Sequence, residues 1–286
     1  TSFNSDGYSV GADGLLNDTN NYVSWSFKKQ TKFFDIVTYT GDGVAGRSIS
    51  HSLNGDVGTI LFKRTDSTSN WIVWHRSAGG AYGFLDATDA FTADSGISNP
   101  TTTAFTIEST INAGWNASGG TYVAYLFAHD TDASSLIKCG SYTGTGSAGK
   151  AVTLGWEPQW LMIKRTDATG YSWEIMDAQR GFASGNDKVL RANSSGAEIT
   201  AYDYGAPTST GFELTTDIAV NASGGTYIYM AIRSPLVPTI TYDPDLQWSG
   251  GTAPTSPAIG ETDVLTFNTT DGGTTYKSVL AIDGAK

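Results

Sequence analysis

Serine, threonine and aspartate are plentiful in this chain, and His51, His75 and His129 are available to pair with them. A Ser-His-Asp nucleophile is therefore the first chemistry to weigh. The sequence does not assemble one. It has no Gly-x-Ser-x-Gly elbow; His51 lies in a polar stretch, His75 closes the run Trp71-Ile72-Val73-Trp74, and His129 adjoins Asp130. All three read as rim residues whose imidazoles bond nearby backbone groups. Asp243-Pro244-Asp245 and Asp130-Thr131-Asp132 each place two carboxylates two residues apart, as calcium loops do, but neither continues into the Asp-x-Asp-x-Asp-Gly pattern. They read as Asp-rich turns. Gly41-Asp42-Gly43 and Gly144-Thr145-Gly146 lack the GxxxxGK[ST] signature of a phosphate cradle and read as turns. The sequence thus predicts no catalytic residue, no metal ligand and no cofactor.

Binding is the remaining chemistry. Lys63-Arg64-Thr65-Asp66 recurs as Lys164 to Asp167; it reads as a strand-ending lysine followed by an aspartate that accepts hydrogen bonds from turn amides. The sequons at Asn116 and Asn221 fall in a repeated Asn-Ala-Ser-Gly-Gly turn, which explains them without glycosylation. Tryptophans stack on sugar rings when exposed, whereas Trp71, Trp74 and Trp160 sit in apolar runs suited to a core. Trp115 and Trp248, flanked by glycine and polar residues, are the predicted exposed ligand-binding candidates.

The elements that would hold these residues come from an internal repeat. Tyr39-Thr40-Gly41-Asp42-Gly43 returns as Tyr142 to Gly146, and Asn116-Ala117-Ser118-Gly119-Gly120-Thr121-Tyr122 returns as Asn221 to Tyr227. With the Lys-Arg-Thr-Asp pair, these motifs keep one order and a spacing of roughly 100 residues, a unit long enough to bury its own core. The predicted segments are 33–134 and 135–234 as β-sandwich modules, 1–32 as a partial module or as strands contributed to the next, and 235–286 as a small C-terminal β unit. Short apolar strands alternate with turn signals, and no segment carries an apolar period of 3.6. The fold class is therefore all-β: tandem antiparallel sandwiches, jelly-roll-like in scale, with a C-terminal hairpin around Asp271-Gly272-Gly273. The formal charge of −11 argues against a nucleic-acid partner, and no apolar run suggests membrane insertion. Cys139, the single cysteine, leaves no internal disulfide and reads as a buried apolar residue.

Tyr39-Thr40-Gly41, Lys63 to Ser67 with Trp71, and Asn116 to Ala128 resemble a repeated domain of bacteriophage tail-fibre and tail-associated proteins, many of them marine. The segment from Trp248 to Tyr276 resembles the C-terminal part of such proteins. The resemblance implies a structural virion protein, in the tail before the capsid, whose partners are other virion proteins and a glycan or protein of the host surface. It also implies a homotrimer by analogy. A capsid decoration protein and a secreted carbohydrate-binding module or adhesin are the alternatives. Specificity is expected where the copies differ, in the loops 86–99 and 193–207.

Overall fold

A computed structural model describes residues 2–4, 7–12, 17, 19–93, 96–98, 100–108 and 113–234, with the strands at 247–248, 262–269 and 276–285. The chain divides into two compact units, Thr1–Ser234 and Pro235–Lys286. In the first, β1 (Ser2–Phe3) and β2 (Tyr8–Ser9) pair with each other. The first repeat follows as β3 (Phe34–Thr40), β4 (Arg47–Ser50), β5 (Asp56–Arg64), β6 (Ile72–His75), β7 (Ala81–Phe84), β8 (Thr92–Ala93), β9 (Ile97–Ser98), β10 (Ala104–Ile107), the single turn α1 (Ala113–Asn116) and β11 (Thr121–His129). The second comprises β12 (Ile137–Thr143), β13 (Lys150–Thr153), β14 (Pro158–Arg165), β15 (Trp173–Asp177), β16 (Leu190–Arg191), β17 (Gly205–Thr208), β18 (Gly211–Leu214), α2 (Ile218–Asn221) and β19 (Thr226–Arg233).

The repeats share a topology. Each has a large antiparallel sheet, β3-β11-β5-β6-β7-β8 or β12-β19-β14-β15-β16, and a three-stranded sheet, β4-β10-β9 or β13-β18-β17. The runs Tyr122 to Phe127 and Tyr227 to Ile232, apolar over most of their length, lie in β11 and β19, each flanked by a partner on both sides. Facing sheets meet through aromatic residues: Phe62 packs edge-on to Phe105 at 5.5 Å, and Tyr229 to Phe212 at the same distance. The fold is all-β and sandwich-like, as the sequence predicts.

The two sandwiches also share a core. Alternation along β5 sends Ile60 and Phe62 into their own sandwich and Thr59 to the opposite face, where Thr59 and His75 meet Met162, Trp173, Ile228 and Met230. The large sheets thus bury their second faces against each other, so these strands read as continuous apolar runs rather than alternating ones. Close approach at this seam needs a missing side chain: a Cβ on Gly58 would lie 2.6 Å from both Ala128 O and Cys139 Sγ. Cys139 is buried in β12, as expected of a small apolar residue.

Residues 21–29 form no strand; they cross the seam as an extended strap. Phe27 seats edge-on against Phe127 at 5.3 Å and Trp160 at 6.4 Å, and Trp25 against Trp160 at 6.2 Å. Apolar burial, about 2 kcal/mol for such a side chain, holds the strap where ladder hydrogen bonds do not.

The second unit contains β20 (Gln247–Trp248), β21 (Thr262–Thr269) and β22 (Tyr276–Ala285). β21 and β22 form the expected antiparallel pair, and β20 adds to β22 in parallel. Asp243-Pro244-Asp245 and Asp271-Gly272-Gly273 lie outside the described residues.

Candidate functional site

The repeated motifs converge on one corner in each copy. Asn116 Oδ1 accepts from Asp42 N at 3.1 Å while its Nδ2 donates to Val44 O and Asp42 Oδ1, both at 2.9 Å. Asn221 does the same work in the second copy, accepting from Thr145 N at 2.8 Å and donating to Ser147 O and Thr215 O. Tyr122 Oη and Tyr227 Oη each accept the following amide, Ala117 N and Ala222 N, at 2.8 Å. Asp66 accepts from Thr121 N and pairs with Arg64; Asp167 repeats this with Thr226 N and Arg165. The Asp of the Lys-Arg-Thr-Asp unit therefore ties its turn to the neighbouring strand. These residues build the sandwich end, and their polar groups are used internally.

The histidines are engaged with backbone groups, as predicted, but His51 is buried and not at a rim, and neither is His75. It is buried in the seam, where Ser77 N donates to Nδ1 at 3.2 Å and Nε2 donates to Tyr229 O at 3.1 Å, fixing a neutral tautomer. Burial pushes its pKa down to about 4. Cys139 N donates to His129 Nδ1 and Leu53 N to His51 Nδ1. Asp130 and Asp132 form the expected turn, with Asp132 N donating to Asp130 Oδ1 and Lys32 bridging both carboxylates.

Trp115 corrects the sequence reading. It is 1 % exposed, packed edge-on against Phe62 at 5.6 Å and Tyr82 at 5.3 Å. The flanking glycine and asparagine that suggested exposure belong to α1 and the Asn116 corner, and they turn the indole inward. Trp248 lies on β20, and the placement of its side chain is outside the described residues.

One concave feature of this unit is a groove of about 560 Å³ between the strap and the end of the second large sheet. Trp25, Phe27, Phe33 and Trp160 supply aromatic walls, and exposed Tyr22 and Val23 form one lip. Asp177 and Arg180 brace it. Asp177 accepts from Trp25 Nε1 at 3.1 Å and Arg180 Nε at 2.7 Å; Arg180 also reaches Glu198 at 2.8 Å, and its guanidinium lies over the Trp25 ring at 5.5 Å. These charges are committed to one another, with one negative charge in excess. Two side chains of the groove lining make no hydrogen bond among the described residues, and a third lining residue has a buried N–H without an acceptor. The side-chain amides of Gln159 and Gln179 have no hydrogen-bond partner among the described residues, and Trp160 Nε1, in a residue 7 % exposed, has no acceptor.

A family model for DUF7483, a domain of unknown function, matches residues 1–235. The chain belongs to this family. The DUF7483 match covers the whole first unit, strap and groove included, and closes where that unit ends at Ser234. No curated protein and no solved structure matches the chain.

Within the DUF7483 unit, sequence reasoning missed Trp25 and the groove. Trp25 has no periodic context, and its partner Asp177 lies 152 residues away. The loops expected to carry specificity also make contacts within the unit. Phe91 N donates to Thr166 O and Gly170 N to Thr88 O, so the first loop clasps the second repeat, while Glu198 of the second loop braces the groove through Arg180.

Proposed function

We propose that this DUF7483 chain is a structural, non-catalytic protein of a bacteriophage virion, in a tail fibre or receptor-binding component, and that it contacts the host surface. The groove beneath the strap is the observation that carries the contact role: its lining offers aromatic surface and unused hydrogen-bonding groups in a concavity of ligand size. The phage setting rests on the sequence resemblance. The commitment of both ring nitrogens of His75 to backbone groups supports a binding role for the chain over nucleophilic catalysis by that residue. Homotrimeric assembly follows the same analogy.

Gold-labelled antibody against residues 1–234, applied to purified parent virions, tests the setting. Label on the tail is expected. Absence of the chain from purified particles overturns the reading, and label over the head turns it into a capsid decoration protein. The groove equally suits a secreted carbohydrate-binding module, whose signature is the free chain in culture fluid without particles.

A further inference from the structure

We propose that the uncovered part of the first large sheet joins this chain to a second copy of itself. The surface lies around Leu61, Trp71, Val123 and Tyr125, on the face that the seam covers only in part. The proposal gives a homo-oligomeric assembly its contact surface and rests on the fold, not on the phage setting.

The two large sheets carry equivalent rows of side chains, because residues opposite one another in an antiparallel ladder share a face. Ile36, Tyr125, Leu61 and Val73 make one row of the first sheet, matched in the second by Cys139, Met230, Met162 and Ile175. Val123 and Lys63 belong to the next row, matched by Ile228 and Lys164. Trp71 joins them, its ring 6.0 Å from that of Tyr125 and 5.6 Å from Lys63 Nζ; its counterpart is Trp173, opposite Lys164.

The second-sheet members of both rows are buried, and Thr59, His75 and Phe91 of the first repeat lie against them. In the first sheet Val73 is buried, but Ile36, Leu61, Lys63, Trp71, Val123 and Tyr125 are all partly exposed. The open surface is continuous with the seam, since Thr59 and His75 follow Leu61 and Val73 on the same face.

What closes over such rows is visible inside the chain. The matching rows of the second sheet are covered by a sandwich of this same fold, so a second copy is an occupant whose surface suits them. Contiguous, aromatic-rich apolar surface is what association buries. The lysine is no obstacle. Lys164 is fully buried because its Nζ donates to Arg165 O at 2.9 Å and Tyr171 O at 2.8 Å, and Lys63 Nζ is likewise turned to a loop carbonyl, that of Ser69. Its stem then adds to the apolar surface. An added strand is disfavoured here, since β5 and β11 are paired on both sides and offer no edge.

The test is sedimentation equilibrium of the full chain over about 1–100 µM, the range of a moderate affinity. Self-association is expected, weakened by about tenfold or more in Val123→Glu and in Tyr125→Glu. Ile218→Glu is the control and should associate as wild type does: Ile218 is 62 % exposed on α2 of the second repeat and gains the same charge away from the surface. Far-ultraviolet circular dichroism checks that each variant is folded. Should the acidic variants at 123 and 125 fail to fold, Val123→Cys decides, because the native Cys139 is buried and maleimide then reports on position 123. Labelling there should slow as the chain concentration rises. A monomer at every concentration, association indifferent to both acidic substitutions, or labelling independent of concentration overturns the surface. Mass in solution and label on virions fail separately, so loss of this contact leaves the host-contact reading standing.

Discussion

Single residues carry the repeat, and they carry it through geometry. A Cβ on Gly41 would fall 2.1 Å from Ala117 O, and one on Gly144 2.2 Å from Ala222 O, so the Tyr-Thr-Gly turn passes the Asn-Ala-Ser-Gly-Gly turn only without a side chain. Alanine at either glycine should cost about 3 kcal/mol through overpacking, read as a lower urea midpoint at unchanged slope. Equal stability of Gly144→Ala would contradict the close approach. His75 gives a pH signature. Its folded pKa, pushed down by burial to about 4, lies below the ordinary 6.5, so the unfolded chain binds the proton first. The contribution of neutral His75 is complete above pH 6.5 and declines as pH falls toward 4, by up to roughly 3 kcal/mol. Buried Asp187, raised to about 6, has the opposite sign: its penalty is complete above pH 6 and is relieved on acidification. The difference between wild type and His75→Gln removes that common background. Denaturation from pH 7.5 to 4 should show wild type losing more stability than the variant, and parallel curves would refute the buried neutral histidine.

Elements were legible where local pattern decides them. The apolar runs Thr59 to Lys63 and Trp160 to Lys164 lie within β5 and β14, paired with β6 and β15. The corner motifs were legible because each is a contiguous run whose partner motif is repeated alongside it. The seam and the groove were not, because they depend on which second face of a sheet meets which, and alternation in one strand does not name its partner across a core. Trp115 misled for the same reason: its neighbours describe a turn, while its burial comes from Phe62 and Tyr82, each more than thirty positions away. The strap yields an element-scale prediction. Trp25→Ala removes the bond to Asp177 and the packing on Trp160, and should lower stability by about 2 kcal/mol while raising proteolysis within residues 20–30. Unchanged protease sensitivity there would show that Trp25 does not hold the strap.

At the scale of the whole first unit, the shared core makes the two repeats interdependent. Residues 1–234 should unfold in one calorimetric transition, with calorimetric and van't Hoff enthalpies in agreement. Residues 135–234 alone leave Trp160, Met162, Ile228 and Met230 without their cover and should bind 1-anilinonaphthalene-8-sulfonate or aggregate. Two resolved transitions in the longer chain would show that each sandwich stands by itself. The seam also bears on how such a gene can change. The copies agree at their corners but differ at equivalent strand positions: the pair Thr59 and His75 of one corresponds to Trp160 and Asp177 of the other. Unequal recombination between the matching stretches would add or delete a copy in frame, yet set like faces together, indole against indole or carboxylate in a dry interface. The two copies are therefore expected not to be interchangeable.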